Sequence, residues 1–253
     1  MSQYYSGKRS RNIYDSKAKE PFKLSRTKID LFLSCPRCFY LDRRLGVKRP
    51  PSFPFNLNNA VDSLLKREFD IHRAKNSRHP LMRSFGIDAV PYPHEKMNEW
   101  RNALSQGITY HHKSTNLIVT GGIDDVWVNP KGELHIVDYK ATSKKEEVNL
   151  DADWQISYKW QMEIYQWLFR MNGFKVSKTG YFVYCNGIAD KEAFDSKLEF
   201  NVKVIPYDGD DAWVESKIIE AHKCLISPKI PKSTKECDYC RYYGDVSEVI
   251  RSH

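Results

Sequence analysis

Apolar residues recur along this chain with two periods, one typical of helices and one typical of strands. Spacing at i, i+3 and i+4 predicts the main helices within residues 24–34, 56–75, 151–171 and 210–225. Runs rich in β-branched and aromatic residues predict strands within residues 108–120, 123–128, 134–139, 179–184 and 198–205. This mixture predicts an α/β fold with a mixed sheet flanked by helices and a helical N-terminal part.

The helix predicted within residues 56–75 has one apolar face. Leu57, Val61, Leu64, Leu65 and Phe69 follow the spacing of neighbouring turns. We therefore expect this face to pack on the core.

The N-terminal residues differ in composition from the rest of the chain. Residues 1–20 are polar, carry an excess of Lys and Arg, and show no apolar periodicity, so we expect a disordered basic arm. No internal repeat or low-complexity linker divides the remainder, and we expect residues 21–253 to form a single domain.

Two predicted strands flank a turn sequence and carry acids where a strand would normally be apolar. Asn-Pro-Lys-Gly at 129–132 predicts a β-hairpin. Side chains alternate along a strand, so Asp138 and Lys140 share one face. Pairing brings either Asp124 or Asp125 beside Asp138, and alternation alone does not decide which. Two carboxylates and an ammonium suit a divalent metal and an activated water.

Charge and hydropathy limit the possible partners and compartments. Lys and Arg exceed Asp and Glu by 40 to 32, a formal charge of +8, which favours a polyanion but also fits an unselective basic surface. No apolar run approaches the roughly 20 residues of a membrane span, and the N-terminal residues lack the apolar segment of a signal peptide. We therefore expect a cytoplasmic protein without a membrane partner.

The cysteines form two pairs with metal-ligand spacing. In a reducing compartment, six cysteines are expected to be metal ligands or buried thiols rather than disulfides. Cys35 with Cys38, and Cys237 with Cys240, each offer two thiolates in a C-x-x-C motif. Four such sulfurs suit Zn²⁺ or a [4Fe-4S] cluster, and unligated thiols stay an alternative.

Three motifs in a fixed order resemble a known family. GGID at 121–124, VDYK at 137–140 and QMEIY at 161–165 are similar to the G-x-x-D, D-x-K and Q-x-x-x-Y motifs of the PD-(D/E)XK nuclease superfamily. The resemblance is to its RecB-like branch, which includes CRISPR-associated RecB-like exonucleases and the AddB nuclease domain. It implies a restriction-endonuclease-like core and a Mg²⁺-dependent DNA nuclease, as an exonuclease in repair, recombination or defence. A helicase or another repair or defence protein is an implied partner.

The resemblance also implies a role for each motif residue. Asp124 and Asp138, with the backbone carbonyl of Tyr139, would bind Mg²⁺ or Mn²⁺, and Asp125 would support them. RecB-like relatives commonly place a histidine ligand on the preceding helix, where this chain has Asp62. Asp62 either completes the metal site or is an ordinary exposed helix residue.

The remaining implied residues act on water and DNA. Lys140 would orient and help deprotonate the attacking water or stabilise charge on the phosphate. Gln161 and Tyr165 would position that water or the DNA backbone.

The resemblance bears on the cysteines as well. Several RecB-like nucleases join their terminal segments with an iron-sulfur cluster, usually through one N-terminal and three C-terminal cysteines. Here the division is two and two, so zinc stays an alternative.

Two further expectations concern nucleic-acid binding. A basic cluster at the first cysteine pair is interleaved with Phe39 and Tyr40, which are available to stack on bases. Its members are Arg37, Arg43, Arg44, Lys48 and Arg49. A solvated helix with core aromatics explains the same residues equally well. The alternative to an enzyme is a catalytically inactive nuclease-fold module that binds nucleic acid or a protein partner.

Overall fold

A computed structural model describes residues 8–51 and 56–253 of the chain. These residues belong to two compact units. Unit 1 contains residues up to 53 together with 111–119 and 212–253, and unit 2 contains 54–110 and 120–211. The division into an arm over 1–20 and one domain over 21–253 stays a prediction, and residues 1–7 of that arm lie outside the described part.

Helices and strands are interspersed along the described chain. The α-helices are α1 (Arg26–Ser34), α2 (Pro36–Arg43), α3 (Asn56–Ala74), α4 (Pro80–Ser84), α5 (Met97–Arg101), α6 (Ile156–Met171), α7 (Val214–Ile226) and α8 (Asp238–Ser252). The strands are β1 (Phe22–Ser25), β2 (Val90–Pro91), β3 (Ile108–His112), β4 (Leu117–Gly121), β5 (Asp125–Val128), β6 (Leu134–Thr142), β7 (Thr179–Gly187) and β8 (Phe200–Asp208). The predicted α/β class is confirmed, although α8 lies outside every helix that the apolar spacing predicted. Among the described helices, none has the length and hydrophobicity needed to cross a bilayer.

The strands form a five-stranded sheet of order β2-β5-β6-β7-β8 and a three-stranded sheet of order β1-β4-β3. In the larger sheet, β6 pairs antiparallel with β5 and parallel with β7. Helix α6 lies in the connection between β6 and β7, as parallel neighbours require. The larger sheet, the mixed sheet of unit 2, therefore has β6 at its centre.

The predicted hairpin is confirmed and its turn is held by one side chain. Asn129 Oδ1 accepts hydrogen bonds from the backbone N–H groups of Lys131 and Glu133, at 3.0 and 2.9 Å. Gly132 has φ +72°, a left-handed conformation that glycine adopts readily. The resulting register places Asp125 opposite Val137, so Asp124 immediately precedes β5.

Helix α3 packs a narrow stripe of its apolar face on the sheet of unit 2. The Phe69 ring stacks against Trp127 and Tyr139, with centroids 5.4 and 5.7 Å apart. Leu65 and Phe69 are buried in the same core cluster, and Val61 packs against it.

Leu57 and Leu64, which the spacing placed on the same face, are 58% and 60% exposed. The expectation that these two residues pack on the core is therefore wrong, because the buried stripe follows residues 61, 65 and 69.

Unit 1 contains the N-terminal helices and α7. Helices α1 and α2 contact each other and both contact α7. Phe39 is fully buried and packs edge-on against Phe32 at 5.2 Å. Tyr40 is buried and its hydroxyl donates to the Ser227 carbonyl at 2.9 Å. The suggestion that Phe39 and Tyr40 stack on bases is therefore wrong, since both rings are core residues.

Residues 9–14 contact α2 and the loop that follows it. The Arg9 N–H donates to the Gly46 carbonyl at 2.8 Å, and the Tyr14 N–H donates to the Arg43 carbonyl at 2.7 Å. The Arg9 side chain also lies 3.1 Å from the buried Asp42 carboxylate.

Candidate active site

The hairpin brings the predicted acids Asp124 and Asp138 to the same segment of β6. Asp124 Oδ2 accepts a hydrogen bond from the Tyr139 backbone N–H at 2.8 Å. Lys140 Nζ contacts Asp138 Oδ2, as expected for residues two apart on one strand face. Asp124 is thus fixed to the same three-residue segment that carries Asp138 and Lys140.

Helix α6 supplies the polar residues predicted beside this segment. Lys140 Nζ donates to Gln161 Oε1 at 3.2 Å, and Gln161 Nε2 donates to the Tyr165 hydroxyl at 3.3 Å. The Lys140 ammonium also lies 4.4 Å from the Tyr158 ring centroid, which is cation–π geometry. A continuous polar chain therefore runs from Asp138 through Lys140 and Gln161 to Tyr165.

Helix α3 adds Asp62 and a lysine that the sequence analysis missed. Lys66 Nζ lies 2.8 Å from Asp62 Oδ2 and 3.2 Å from Asp124 Oδ1. Burial, and next the neighbouring Asp124 carboxylate, raise the pKa of Asp62. The Asp62 and Lys66 positions are one helical turn apart, and this i, i+4 spacing is the only sequence signal that pointed to Lys66.

Asp125 occupies a different environment from Asp124. It is fully buried, contacts Arg73, and lies 3.4 Å from Arg101 Nη2. The Tyr139 hydroxyl donates to its Oδ2 at 2.9 Å. Because burial and the Asp125 carboxylate raise the pKa of Tyr139, this hydroxyl stays protonated as the donor. Asp125 therefore serves as a buried anchor on the opposite face of the hairpin.

A second set of contacts holds the backbone at Asp124. Arg101 Nε donates to the Asp124 carbonyl at 2.9 Å, and its Nη1 donates to both Asp70 oxygens at 3.0 and 2.8 Å. Arg73 Nε also donates to Asp70 at 3.0 Å. These arginines come from two separate helical segments, and only the i, i+3 spacing of Asp70 and Arg73 is visible in the sequence.

The oxygen donors around β6 fit a hard divalent cation by chemistry. Carboxylates and backbone carbonyls are the ligands that Mg²⁺ and Mn²⁺ prefer. Lys66 links Asp62 to Asp124, and the Tyr139 backbone links Asp124 to the segment that carries Asp138. The oxygens of the three carboxylates do not meet at one point. Within 8–51 and 56–253, the only group of three or more His, Cys, Asp or Glu ligand atoms within 4.8 Å of one another is formed by cysteines.

The two C-x-x-C pairs meet in unit 1. Cys35 lies between α1 and α2, Cys38 lies in α2, and Cys237 and Cys240 lie at the start of α8. Cys38 Sγ is 3.6 Å from both Cys237 Sγ and Cys240 Sγ, and Cys35 Sγ is 3.9 Å from Cys240 Sγ. The predicted meeting of both pairs is therefore found in the structure.

The surroundings favour a thiolate at one of these sulfurs. Burial raises the pKa of Cys35, but hydrogen bonds led by that from the Cys38 backbone outweigh it and lower this pKa to about 6. Burial raises the pKa of the Cys38 and Cys240 thiols instead. Arg49 Nη2 donates to Cys237 Sγ at 3.3 Å. Soft sulfur donors held this closely suit Zn²⁺ or a [4Fe-4S] cluster.

A family model for the PD-(D/E)XK nuclease superfamily matches residues 23–244, which include the hairpin and both cysteine pairs. The chain belongs to the PD-(D/E)XK nuclease superfamily. Its restriction-endonuclease-like fold is thereby confirmed, and membership implies a phosphodiester-hydrolysing enzyme that uses a divalent metal.

Other comparisons add little to this PD-(D/E)XK assignment. The crystal structure of SSO0001 is 16% identical, with 86% of this chain and 91% of that chain covered, at a TM-score of 0.37. A likeness at that TM-score carries no argument. No curated protein matches this PD-(D/E)XK chain.

Proposed function

We propose that this chain is a metal-dependent DNA nuclease whose active site is the hairpin and the facing side of α6. One observation carries the proposal. Asp124 is hydrogen-bonded to the Tyr139 backbone, and Lys140 joins Asp138 to Gln161, so the residues of three separate motifs form one connected group. A hairpin whose acids served only as solvent-exposed polar residues would not need such a connected group.

Asp124, Asp138 and the Tyr139 carbonyl would hold Mg²⁺ or Mn²⁺, with Asp62 as a further oxygen ligand. When bound, a divalent cation polarises the phosphodiester and activates water. The hydrogen bond from the Tyr139 N–H holds Asp124 Oδ2 in place, while Lys66 lies beside Oδ1. Asp62 thus replaces the expected histidine with a carboxylate whose charge Lys66 balances.

Lys140 would act on the reacting groups. Its ammonium is held by Asp138, Gln161 and the Tyr158 ring. An ammonium fixed in this way can orient a water for attack and stabilise negative charge that develops on the phosphate.

Gln161 and Tyr165 would position the water or the DNA backbone. Gln161 uses its oxygen towards Lys140 and its amide nitrogen towards the Tyr165 hydroxyl. This arrangement fixes the amide orientation, so both residues present polar atoms in a defined geometry.

We further propose that the chain is a RecB-like exonuclease of repair, recombination or defence. A helicase or another repair or defence protein would supply its substrate. The order of motifs and the cysteine site support this finer assignment. The test compares linear with covalently closed circular single-stranded DNA of equal sequence, and it distinguishes an exonuclease from an endonuclease. An exonuclease degrades only the linear form, and cleavage of the circle would contradict this part of the proposal.

The decisive experiment compares Lys140→Ala with Lys131→Ala. Lys131 is an exposed lysine in the turn of the same hairpin, and it serves as the matched control. We expect DNA hydrolysis by the wild type and by Lys131→Ala only when Mg²⁺ or Mn²⁺ is added. Lys140→Ala should lose about 10²-fold or more, as for removal of a preorganised electrostatic group.

Two outcomes would contradict the proposed nuclease. Full activity of folded Lys140→Ala would remove the site from the hairpin. Tight divalent binding without any hydrolysis across defined DNA ends would instead favour the inactive nuclease-fold module.

A further inference from the structure

A groove in unit 1 lies beside the cysteine site and outside the residues assigned to hydrolysis. Its volume is about 540 Å³, and its lining includes Arg37, Lys48, Arg49, Tyr239, Tyr242 and Tyr243. None of the described residues that line it is acidic. The groove therefore combines positive charge with aromatic rings.

The tyrosines share one face of α8. Their positions are i, i+3 and i+4, which lie next to each other on a helix. Tyr239, Tyr242 and Tyr243 are 46%, 73% and 63% exposed. Three large rings presented to solvent on one helix face leave flat surfaces available to stack on a planar partner.

The three cations of the groove differ in how they are held. The Arg49 guanidinium lies 4.7 Å from the Tyr239 ring centroid and also donates to Cys237 Sγ, so two contacts fix it. Arg37 and Lys48 form no ion pair with any acid in the described part of the chain. Their charges are consequently available to an anionic ligand.

We propose that this groove binds a single strand of nucleic acid, a proposal that rests on the DNA substrate assigned above. Cations contact the phosphates while tyrosines stack on unpaired bases, which is how sequence-tolerant single-strand sites are built. A duplex keeps its bases stacked inside and cannot use the rings. An acidic peptide matches the cations but leaves the rings without planar partners.

Basic and aromatic residues near the first cysteine pair were expected to bind nucleic acid together. In the groove the basic residues are the expected ones, but the aromatic residues are different. Phe39 and Tyr40 are buried, whereas the exposed rings come from the C-terminal helix. Cys38 and Cys240 also line the groove, so the sulfur site fixes α8 beside the cations.

The test measures binding of labelled oligodeoxythymidine by fluorescence anisotropy, with the Lys140→Ala chain and no added divalent ion. Tyr242→Ala with Tyr243→Ala should weaken binding about tenfold or more, since each stacked base contributes roughly 1–3 kcal/mol. Tyr242→Phe with Tyr243→Phe should keep the affinity. Val249→Ala with Ile250→Ala alters exposed residues of the same helix that do not line the groove, and it should also bind normally.

Three results would overturn the proposal. They are unchanged affinity of the double alanine variant with an intact circular dichroism spectrum, equal affinity for a blunt duplex, and equal competition by poly-glutamate. Tyrosine-dependent binding by a wild type that does not hydrolyse DNA would instead refute the proposed nuclease activity and leave the proposed groove standing. Active nuclease with tyrosine-independent binding would refute the groove alone.

Discussion

Each carboxylate predicted to bind metal lies against a lysine ammonium. Lys140 contacts Asp138, and Lys66 lies between Asp62 and Asp124. These ammoniums neutralise acids that would otherwise repel one another at close range. They would also oppose an arriving dication, so we expect the lysines to set how tightly the proposed site binds metal.

Replacing Lys66 with Met tests this balance. We expect Mn²⁺ to bind about tenfold more tightly, because the variant removes the repulsion between the Lys66 ammonium and the cation. Two unit charges about 4 Å apart interact with roughly 1 kcal/mol in bulk water and roughly 4 kcal/mol near a protein surface. Isothermal titration calorimetry on Lys66→Met, beside the exposed control Lys131→Met, measures the change. Unchanged or weaker binding would show that Lys66 organises the carboxylates rather than opposing the metal.

His79 offers a separate residue-level prediction, far in sequence from the acids of the hairpin. Its Nδ1 accepts from the Leu81 N–H at 3.1 Å, and its Nε2 lies 2.9 Å from Glu68 Oε1. The neutral ring with hydrogen on Nε2 satisfies both contacts. Burial lowers the pKa of His79, so the unfolded chain binds this proton more readily than the folded chain.

Stability should therefore fall as the pH drops below about 6.5, the ordinary histidine pKa. We expect the melting temperature to decrease between about pH 7.5 and pH 5.5, and His79→Asn to show a smaller decrease over the same range. His111→Asn, at an exposed histidine, is the control. An equal decrease in His79→Asn would assign the pH dependence to other groups.

At the scale of elements, a glycine sets the distance between β4 and α6. A Cβ at Gly121 would lie 2.5 Å from Tyr165 Cε1 and 2.9 Å from Cδ1. The first residue of G-x-x-D therefore makes room for the last residue of Q-x-x-x-Y, which couples the two motifs sterically in this chain.

Gly121→Ala should push the Tyr165 ring away and disturb its hydrogen bond with Gln161. We expect a loss of about 1–3 kcal/mol in the free energy of unfolding, as for other overpacked sites, together with reduced hydrolysis. Gly187→Ala is the matched control, because its nearest contacts would be at 3.6 Å. Denaturant unfolding of both variants measures the difference, and equal stabilities would refute the steric account.

Local sequence predicted some elements well and others poorly. The hairpin followed from turn chemistry at 129–132 and from flanking strand runs, all of which act over a few residues. The predicted burial of Leu57 and Leu64 is wrong because spacing identifies an apolar face but not which stripe of that face the core covers. Helix α8 was not predicted, and no residue of that helix is buried.

At the scale of the whole molecule, the motif residues were predictable because their order along the chain is characteristic of a superfamily. Lys66 and the arginines around Asp70 were not, because their contacts with Asp124 and Asp125 and that of Arg101 with Asp70 join residues far apart in sequence. Their local i, i+3 and i, i+4 pairs look like those of any charged helix. The four cysteines were found as pairs, but only the fold shows that both pairs meet. Their ligand stays a prediction.

The cysteine site should determine the stability of unit 1. Helix α8 has no buried residue, Cys237 caps its N-terminus and Cys240 lies in its first turn, so we expect sulfur ligation rather than apolar packing to hold it. We expect metal removal, or Cys237→Ser with Cys240→Ser, to lower the melting temperature and to release α8 to proteolysis. Cys224→Ser outside the site is the control.

Elemental analysis and a visible spectrum of anaerobically purified protein distinguish the two ligands. One zinc per chain without visible absorbance indicates Zn²⁺, and iron with sulfide and broad visible absorbance indicates a cluster. Protein that contains neither and melts at the same temperature after chelation would show that the thiols are unligated.

The position of the sulfurs along the chain has a consequence for how the protein assembles. Cys38 and Cys237 are 199 residues apart, so an ion bound by both closes a loop that contains all of unit 2. By the chain-entropy model for covalent cross-links, such a closure constrains the unfolded state by roughly 5 kcal/mol. During translation, the nascent chain presents the first two sulfurs long before the last two are made. Tight ion capture therefore waits until the ribosome has completed the segment that carries α8.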